Sequence, residues 1–129
     1  MSDLAGKLVL ITGAAGAVGA AVAKAVRAAG GAVIATDLKA GGGVDAALDV
    51  TSEADWQRIA ADIERRHGRL DGLVNAAGIA VLGNVERLDF ADWRRVLSVN
   101  LDGTFLGCKH AFPLLRKQGG SIEIGRAHV

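Results

Sequence analysis

The stretch Gly13-Ala14-Ala15-Gly16-Ala17-Val18-Gly19 constrains the fold more than any other part of the chain. It follows the apolar run Leu8-Val9-Leu10-Ile11-Thr12 and leads into an alanine-rich segment with helical periodicity. Strand, tight turn and helix start are therefore expected in immediate succession. Gly13, Gly16 and Gly19 recur at every third residue, a spacing that lets a backbone turn sharply, approach a pyrophosphate and pack helix against strand. Free amides at the helix head, those of Ala17 and Val18 among them, would face the phosphates, and the helix dipole would add favourable potential.

A glycine turn alone is a weak signal, because the spacing departs from G-x-G-x-x-G. Asp37 strengthens it. This carboxylate ends the next apolar run, Ala32-Val33-Ile34-Ala35-Thr36, at the offset where an acidic side chain accepts hydrogen bonds from an adenosine ribose. A carboxylate there repels a 2′-phosphate, so NAD is expected over NADP, with Lys39 as the one opposing charge nearby.

Composition narrows the class. Half of the 129 residues are apolar, but they are chiefly Ala, Val and Leu, aromatic residues make up 4%, and there is no tyrosine. Such a supply suits helices packed closely on a parallel sheet and argues against an antiparallel barrel. The net charge of +1 is spread without long blocks of one sign, which leaves no footprint for nucleic acid. Cys108 is the single cysteine, and the start Met1-Ser2-Asp3-Leu4 lacks a basic then apolar leader; a reducing, cytoplasmic setting is expected. No apolar run reaches the ~18 residues that span a bilayer, so no membrane partner is expected. His67 and His110 have no acidic or cysteine neighbours at ligand spacing, and no metal site is expected.

In order, the pattern predicts strands at about 7–12, 32–37, 44–48 and 70–75, with a fifth starting at Ser121-Ile122. Helices are expected at 17–29, from Ser52 to His67, from Asp89, and from Gly103 to Lys117, the last two being separate or a bent pair. Val18, Val22, Ala25, Val26 and Ala29 set the first helix's period; Trp56, Ile59, Ala60 and Ile63 line the second; Phe90, Trp93, Val96 and Leu97 are expected inward on the third. Ser52-x-x-Asp55 reads as a capping box. This alternation implies right-handed crossovers in a doubly wound, Rossmann-like parallel sheet, with ligands at the carboxyl ends of its strands. Thr12 to Gly19, Asp37, Asp49-Val50 and Asn75 to Gly78 all fall at such ends.

Taken together, Thr12-Gly13-x-x-Gly16-x-x-Gly19, Asp37, Asp49-Val50, Asn75-Ala76-Ala77-Gly78 and Val99-Asn100 resemble the short-chain dehydrogenase/reductase family over residues 4–122. The resemblance implies an NAD-dependent oxidoreductase acting on an alcohol or ketone. It implies that Asp49 and Val50 contact the adenine, that Asn75, Ala76 and Gly78 support the sheet and line the adenosine side, and that Asn100 helps a proton relay. Thr12 would brace the turn. It also implies a homo-oligomer, dimer or tetramer, for the parent protein. Two departures stand out. Ala17 occupies the place of the common second glycine, and the catalytic Ser and Tyr-x-x-x-Lys of the family are absent. Without a tyrosine to exchange a proton with the substrate oxygen, this polypeptide is expected to be inactive by itself.

The chain end departs too. After Ser121-Ile122 the sequence reads Glu123-Ile124-Gly125-Arg126-Ala127-His128-Val129, charge and glycine where a buried strand should be apolar. One back-translation of residues 124–129 resembles a sequencing-library adapter. The expectation is a dinucleotide-binding domain over residues 1–122, broken within or before its fifth strand, and a read-through tail over 123–129. The fragment would leave apolar faces of strand one and of the 103–117 helix uncovered. Two other readings stay open: a cofactor-binding module without chemistry, and an extended-type nucleotide-sugar epimerase or dehydratase, which the Gly16 spacing favours and the Asn75 to Gly78 segment disfavours.

Overall fold

A computed structural model describes residues 3–125; His128 and the rest of 126–129, part of the suspected tail, lie outside the described residues. Five parallel strands form one sheet in the order β3-β2-β1-β4-β5. They are β1 (Leu8–Thr12), β2 (Ala32–Asp37), β3 (Ala46–Ala47), β4 (Gly72–Asn75) and β5 (Ser121–Ile124). Order reverses between β1 and β4, the topological switch point at which doubly wound sheets bind ligands. The third strand is shorter than expected; Asp45 replaces missing ladder by accepting a hydrogen bond from the Ala35 amide at 2.8 Å.

All five residues of β1 are buried, because each face of the sheet has its own core. On one face Leu8, Leu10 and Leu73 pack against α2 (Glu53–His67), through Trp56, Ile59 and Ile63, and against α4 (Gly103–Leu115), through Ala111, Leu114 and Leu115. On the other, Val9 and Ile11 meet Ala23 and Val26 of α1 (Ala17–Ala28). Strand one is thus covered, contrary to expectation. Ala25 is also corrected: it is exposed, and Ala23 takes the inward position.

The Ser52 hydroxyl caps α2 by accepting from the Asp55 amide at 3.2 Å, and Gly68 closes it at φ 73°, as a left-handed glycine terminus does. The reciprocal half of the box is not made. The Asp55 carboxylate accepts instead from the Asp49 amide at 2.9 Å, tying the helix head to the loop before it.

The third and fourth helices join as the bent pair. α3 (Phe90–Leu97) runs through a π turn, Ser98–Asp102, directly into α4. Two of the inward residues expected on α3, Phe90 and Trp93, are a second correction, while Val96 and Leu97 are partly buried. Trp93 is 49% exposed and Phe90 72%, whereas Trp56 is 1% exposed and donates its indole N–H to the Val50 carbonyl at 2.9 Å. Both tryptophans have amphipathic spacing; only α2 has a layer to bury its own. At the end of the sheet order β5 runs through Glu123 and Ile124, with all four residues exposed. A charge is tolerated there because the edge has solvent on its outer side.

Candidate functional site

At the carboxyl ends of β1, β2 and β4 the glycine turn is fixed by contacts on both sides. Gly13 has φ +64°, and a Cβ on it would lie 2.7 Å from the Ala77 Cα. A Cβ on Gly19 would lie 2.2 Å from the Gly13 carbonyl oxygen, closer than any side chain tolerates. Gly16 is less constrained, with its nearest atom at 3.3 Å, and serves as N-cap of α1. Ala17, Val18 and Gly19 form the first turn of that helix, so their amides have no partner within it.

The turn is held to its neighbours by polar contacts. The Ala14 amide donates to the Thr36 carbonyl at 2.9 Å, and the Ala15 amide to the Asp37 carboxylate at 2.9 Å. Buried Thr12 accepts from the Ala77 amide at 3.1 Å, so it braces the turn through the segment after β4. The other Asp37 oxygen accepts from the Leu38 amide at 2.8 Å. Each carboxylate oxygen keeps a further lone pair, and the side chain is oriented before any ligand arrives.

Two contiguous cavities follow from this arrangement, one on each side of Gly13 and Gly16. The first, about 210 Å³, brings Asp37, Asp49 and Val50 together with Ala76 and Gly78. The second, about 200 Å³, brings the head of α1 (Ala17, Val18, Gly19) together with Ile79 and Asn100. Leu38, Leu48 and Val99 also line the first cavity; Val99 belongs to a quoted segment, whereas sequence reasoning did not single out Leu38 and Leu48, although each adjoins a residue it did. Asp49 is ordered by the Thr51 amide and hydroxyl, which donate to it at 2.9 and 2.7 Å. Val50 is pressed by Gly103 of α4, where a Cβ would come within 2.7 Å of a Val50 methyl.

Two expected site residues stand behind the cavities instead of in their walls. Thr12 is one. Asn75 is the other: it is buried, its Nδ2 lacks a hydrogen-bond partner, and its Oδ1 lies where a side chain on Gly107 would have to go, at 2.8 Å. Asn100 does reach the second cavity, from within the π turn. Its amide clamps Ile79 twice, accepting from the Ile79 N–H and donating to the Ile79 carbonyl, each at 2.9 Å. The side chain thereby fixes the course of the chain after β4.

Farther out, Glu53 at the head of α2 accepts from Lys109 and His110 of α4, both at 2.7 Å. The hydrogen bond from Lys109 and then that from His110 hold its carboxyl below the usual carboxylate value. Among the described residues no group of three or more His, Cys, Asp or Glu could hold a metal ion, and no helix is long and apolar enough to cross a membrane.

The chain is similar to known proteins. A family profile described as short chain dehydrogenase matches residues 7–124. The D-threitol dehydrogenase of Mycolicibacterium smegmatis is 38% identical, over 96% of this chain and 53% of its own length. The 3-beta-hydroxysteroid dehydrogenase of Comamonas testosteroni is 36% identical, over 92% and 51%. Among solved structures, the ligand-free aldohexose dehydrogenase of Thermoplasma acidophilum superposes with a TM-score of 0.87 at 32% identity, over 95% of this chain and 50% of that one. The chain spans about half the length of the relatives it matches.

Proposed function

The chain belongs to the short chain dehydrogenase family, and from that premise we propose that it is the dinucleotide-binding half of an NAD-dependent oxidoreductase acting on an alcohol or ketone. The observation that carries this reading is Asp37, held by the Ala15 amide of the glycine turn and facing the first cavity. The residues present fit such a cofactor. Asp37 accepts from the adenosine ribose hydroxyls. Leu38, Leu48, Val50 and Val99 exclude water from the adenine, and Asp49 offers its edge an acceptor. The uncapped amides of Ala17, Val18 and Gly19 receive the pyrophosphate, and no Cβ at Gly13 blocks the approach. Ala17 costs no donor, since the contact is made by backbone.

A bound nicotinamide supplies the hydride donor or acceptor. Asn100 and Ile79 wall its side of the cleft, and Asn100 keeps the role of a positioning group beside any proton relay. The proton exchanged with the substrate oxygen needs a tuned acid or base, and the chain contains no tyrosine. We read residues 1–122 as the native domain portion and 123–129 as a non-native tail, and the 129-residue chain as binding cofactor without turnover. That same lack of tyrosine is what favours the second reading, a binding module without chemistry.

Titration of the chain with NADH and NADPH, followed by nicotinamide fluorescence, tests the proposal. NADH is expected to bind about tenfold or more tightly than NADPH, corresponding to roughly 1.4 kcal/mol, and Asp37→Ala to erase the difference by weakening NADH. Equal binding of the two by the unaltered chain, or binding of neither, overturns it.

A further inference from the structure

Asp49 lines the first cavity and is held at its amide, its carbonyl and its carboxylate. The amide donates to the Asp55 carboxylate at 2.9 Å, and the carbonyl accepts from the Ser52 amide at 3.0 Å. The carboxylate Oδ1 accepts twice from Thr51, from the amide at 2.9 Å and from the hydroxyl at 2.7 Å. One residue on, the Val50 carbonyl accepts the N–H of the buried Trp56 indole at 2.9 Å. One residue back, the Leu48 amide donates to the Asp37 carbonyl at 2.7 Å. The acceptor for the base and the acceptor for the ribose are thus joined through backbone, and the first of them is anchored to the head of α2.

An aspartate that accepts from the amide two residues on is an ordinary turn device. The Thr51 hydroxyl adds something the turn does not need. The outer torsion of an aspartate is broad and roughly two-fold, and two donors on Oδ1 select one of its settings. Among the described residues no group donates to Oδ2, so that oxygen is presented in one direction with its lone pairs free. Thr51 and Asp55 line neither cavity; whatever they do for a ligand, they do through Asp49.

A carboxylate free to turn accepts from any donor on the edge of a purine. One that is locked favours the donor at a single place. Adenine carries an exocyclic amine on that edge, whereas hypoxanthine has a carbonyl oxygen in its place and sets lone pairs against lone pairs. We propose that Thr51 is a positioning residue for base recognition: by locking Asp49 it makes the first cavity choose a dinucleotide whose purine bears an exocyclic amine over one that bears an exocyclic carbonyl. Asp55 serves the same end from the backbone side. This rests on the cofactor reading above, and assigns base selectivity to two side chains that meet no ligand.

Fluorescence titration of the whole chain with NADH and with reduced nicotinamide hypoxanthine dinucleotide tests it. The unaltered chain is expected to prefer NADH about tenfold, the worth of one charge-assisted hydrogen bond. Thr51→Val keeps the shape of the side chain and removes the hydroxyl. It should weaken NADH by about three- to fivefold and leave the affinity for the hypoxanthine analogue as it was, with an unchanged circular dichroism spectrum. Thr51→Ser, which keeps the hydroxyl, should restore the preference. If Thr51→Val does not fold, Asp55→Ala is expected to narrow the preference, and Asp55→Asn, whose amide oxygen still accepts from Asp49, to keep it. A purely structural role for Thr51 weakens both ligands by one factor. That result, or an unaltered chain that binds the two equally, overturns the inference and leaves the cofactor reading standing; binding of neither overturns both.

Discussion

The glycine turn and the outer face of the α3–α4 pair both carry apolar residues, yet one is locked and the other bare. Around the turn two glycines are each determined twice. Gly13 is held by its own φ and by Ala77, Gly19 by helix geometry and by the Gly13 carbonyl, and Thr12 and Asp37 join it to β4 and β2. Phe90 and Trp93 of α3 satisfy the helical period just as well and are 72 and 49% exposed. Local pattern decides which residues share a face; burial needs something opposite that face.

The largest effects are expected where determination is double. Trp56→Ala removes a side chain that is 1% exposed together with its bond to the Val50 carbonyl, and should cost about 3–5 kcal/mol in urea unfolding. Gly19→Ala forces a Cβ to within 2.2 Å of the Gly13 oxygen. It should cost roughly 3 kcal/mol, from overpacking that the backbone cannot relieve, and abolish NADH binding. If it binds cofactor normally, the turn is not the rigid element described above.

A polar contact gives an intermediate result. Thr36→Val deletes the buried hydroxyl that donates to the Ile11 carbonyl at 2.8 Å and should cost about 1–2 kcal/mol, the penalty for an acceptor left unpaired. On the bare face the expected change is smaller and of a different kind. Phe105→Ser should leave unfolding within about 0.5 kcal/mol of the unaltered chain while raising solubility. A large destabilisation would mean that this face is covered within one copy.

The Glu53 tie between α2 and α4 has an exposed carboxylate and should matter least. Because Lys109 and His110 depress the Glu53 pKa, the tie contributes fully above the ordinary carboxylate range. Its contribution fades as the pH falls through that lowered value. Glu53→Gln should therefore unfold at slightly lower urea than the unaltered chain at pH 7, and the two midpoints should converge in strong acid. A gap that widens on acidification would contradict the assignment.

Much of the site was legible beforehand because its signals are local. Asp37 and Asp49-Val50 end apolar runs, and residues at strand ends of a parallel sheet converge whatever lies between them. Leu38 and Leu48 escaped notice because an apolar residue beside a polar one carries no mark of facing a cavity. The double clamp of Asn100 on Ile79 joins positions 21 residues apart, and no period or spacing encodes that pairing. For β5 the sequence shows only that Glu123 conflicts with a buried strand; that the four residues Ser121–Ile124 pair with β4 and are exposed comes from the sheet.

By itself the sequence determined the alternation of strand and helix, the glycine turn and the acidic residue that faces it, since these depend on φ preferences and on periods of two and 3.6 residues that act over a few neighbours. Tertiary structure alone decided that Trp56 is core and Trp93 surface, and that β1 is sealed from both sides. Those outcomes depend on which layers exist to bury a face, and burial is a property of the assembled sheet and its helices, not of any segment within it.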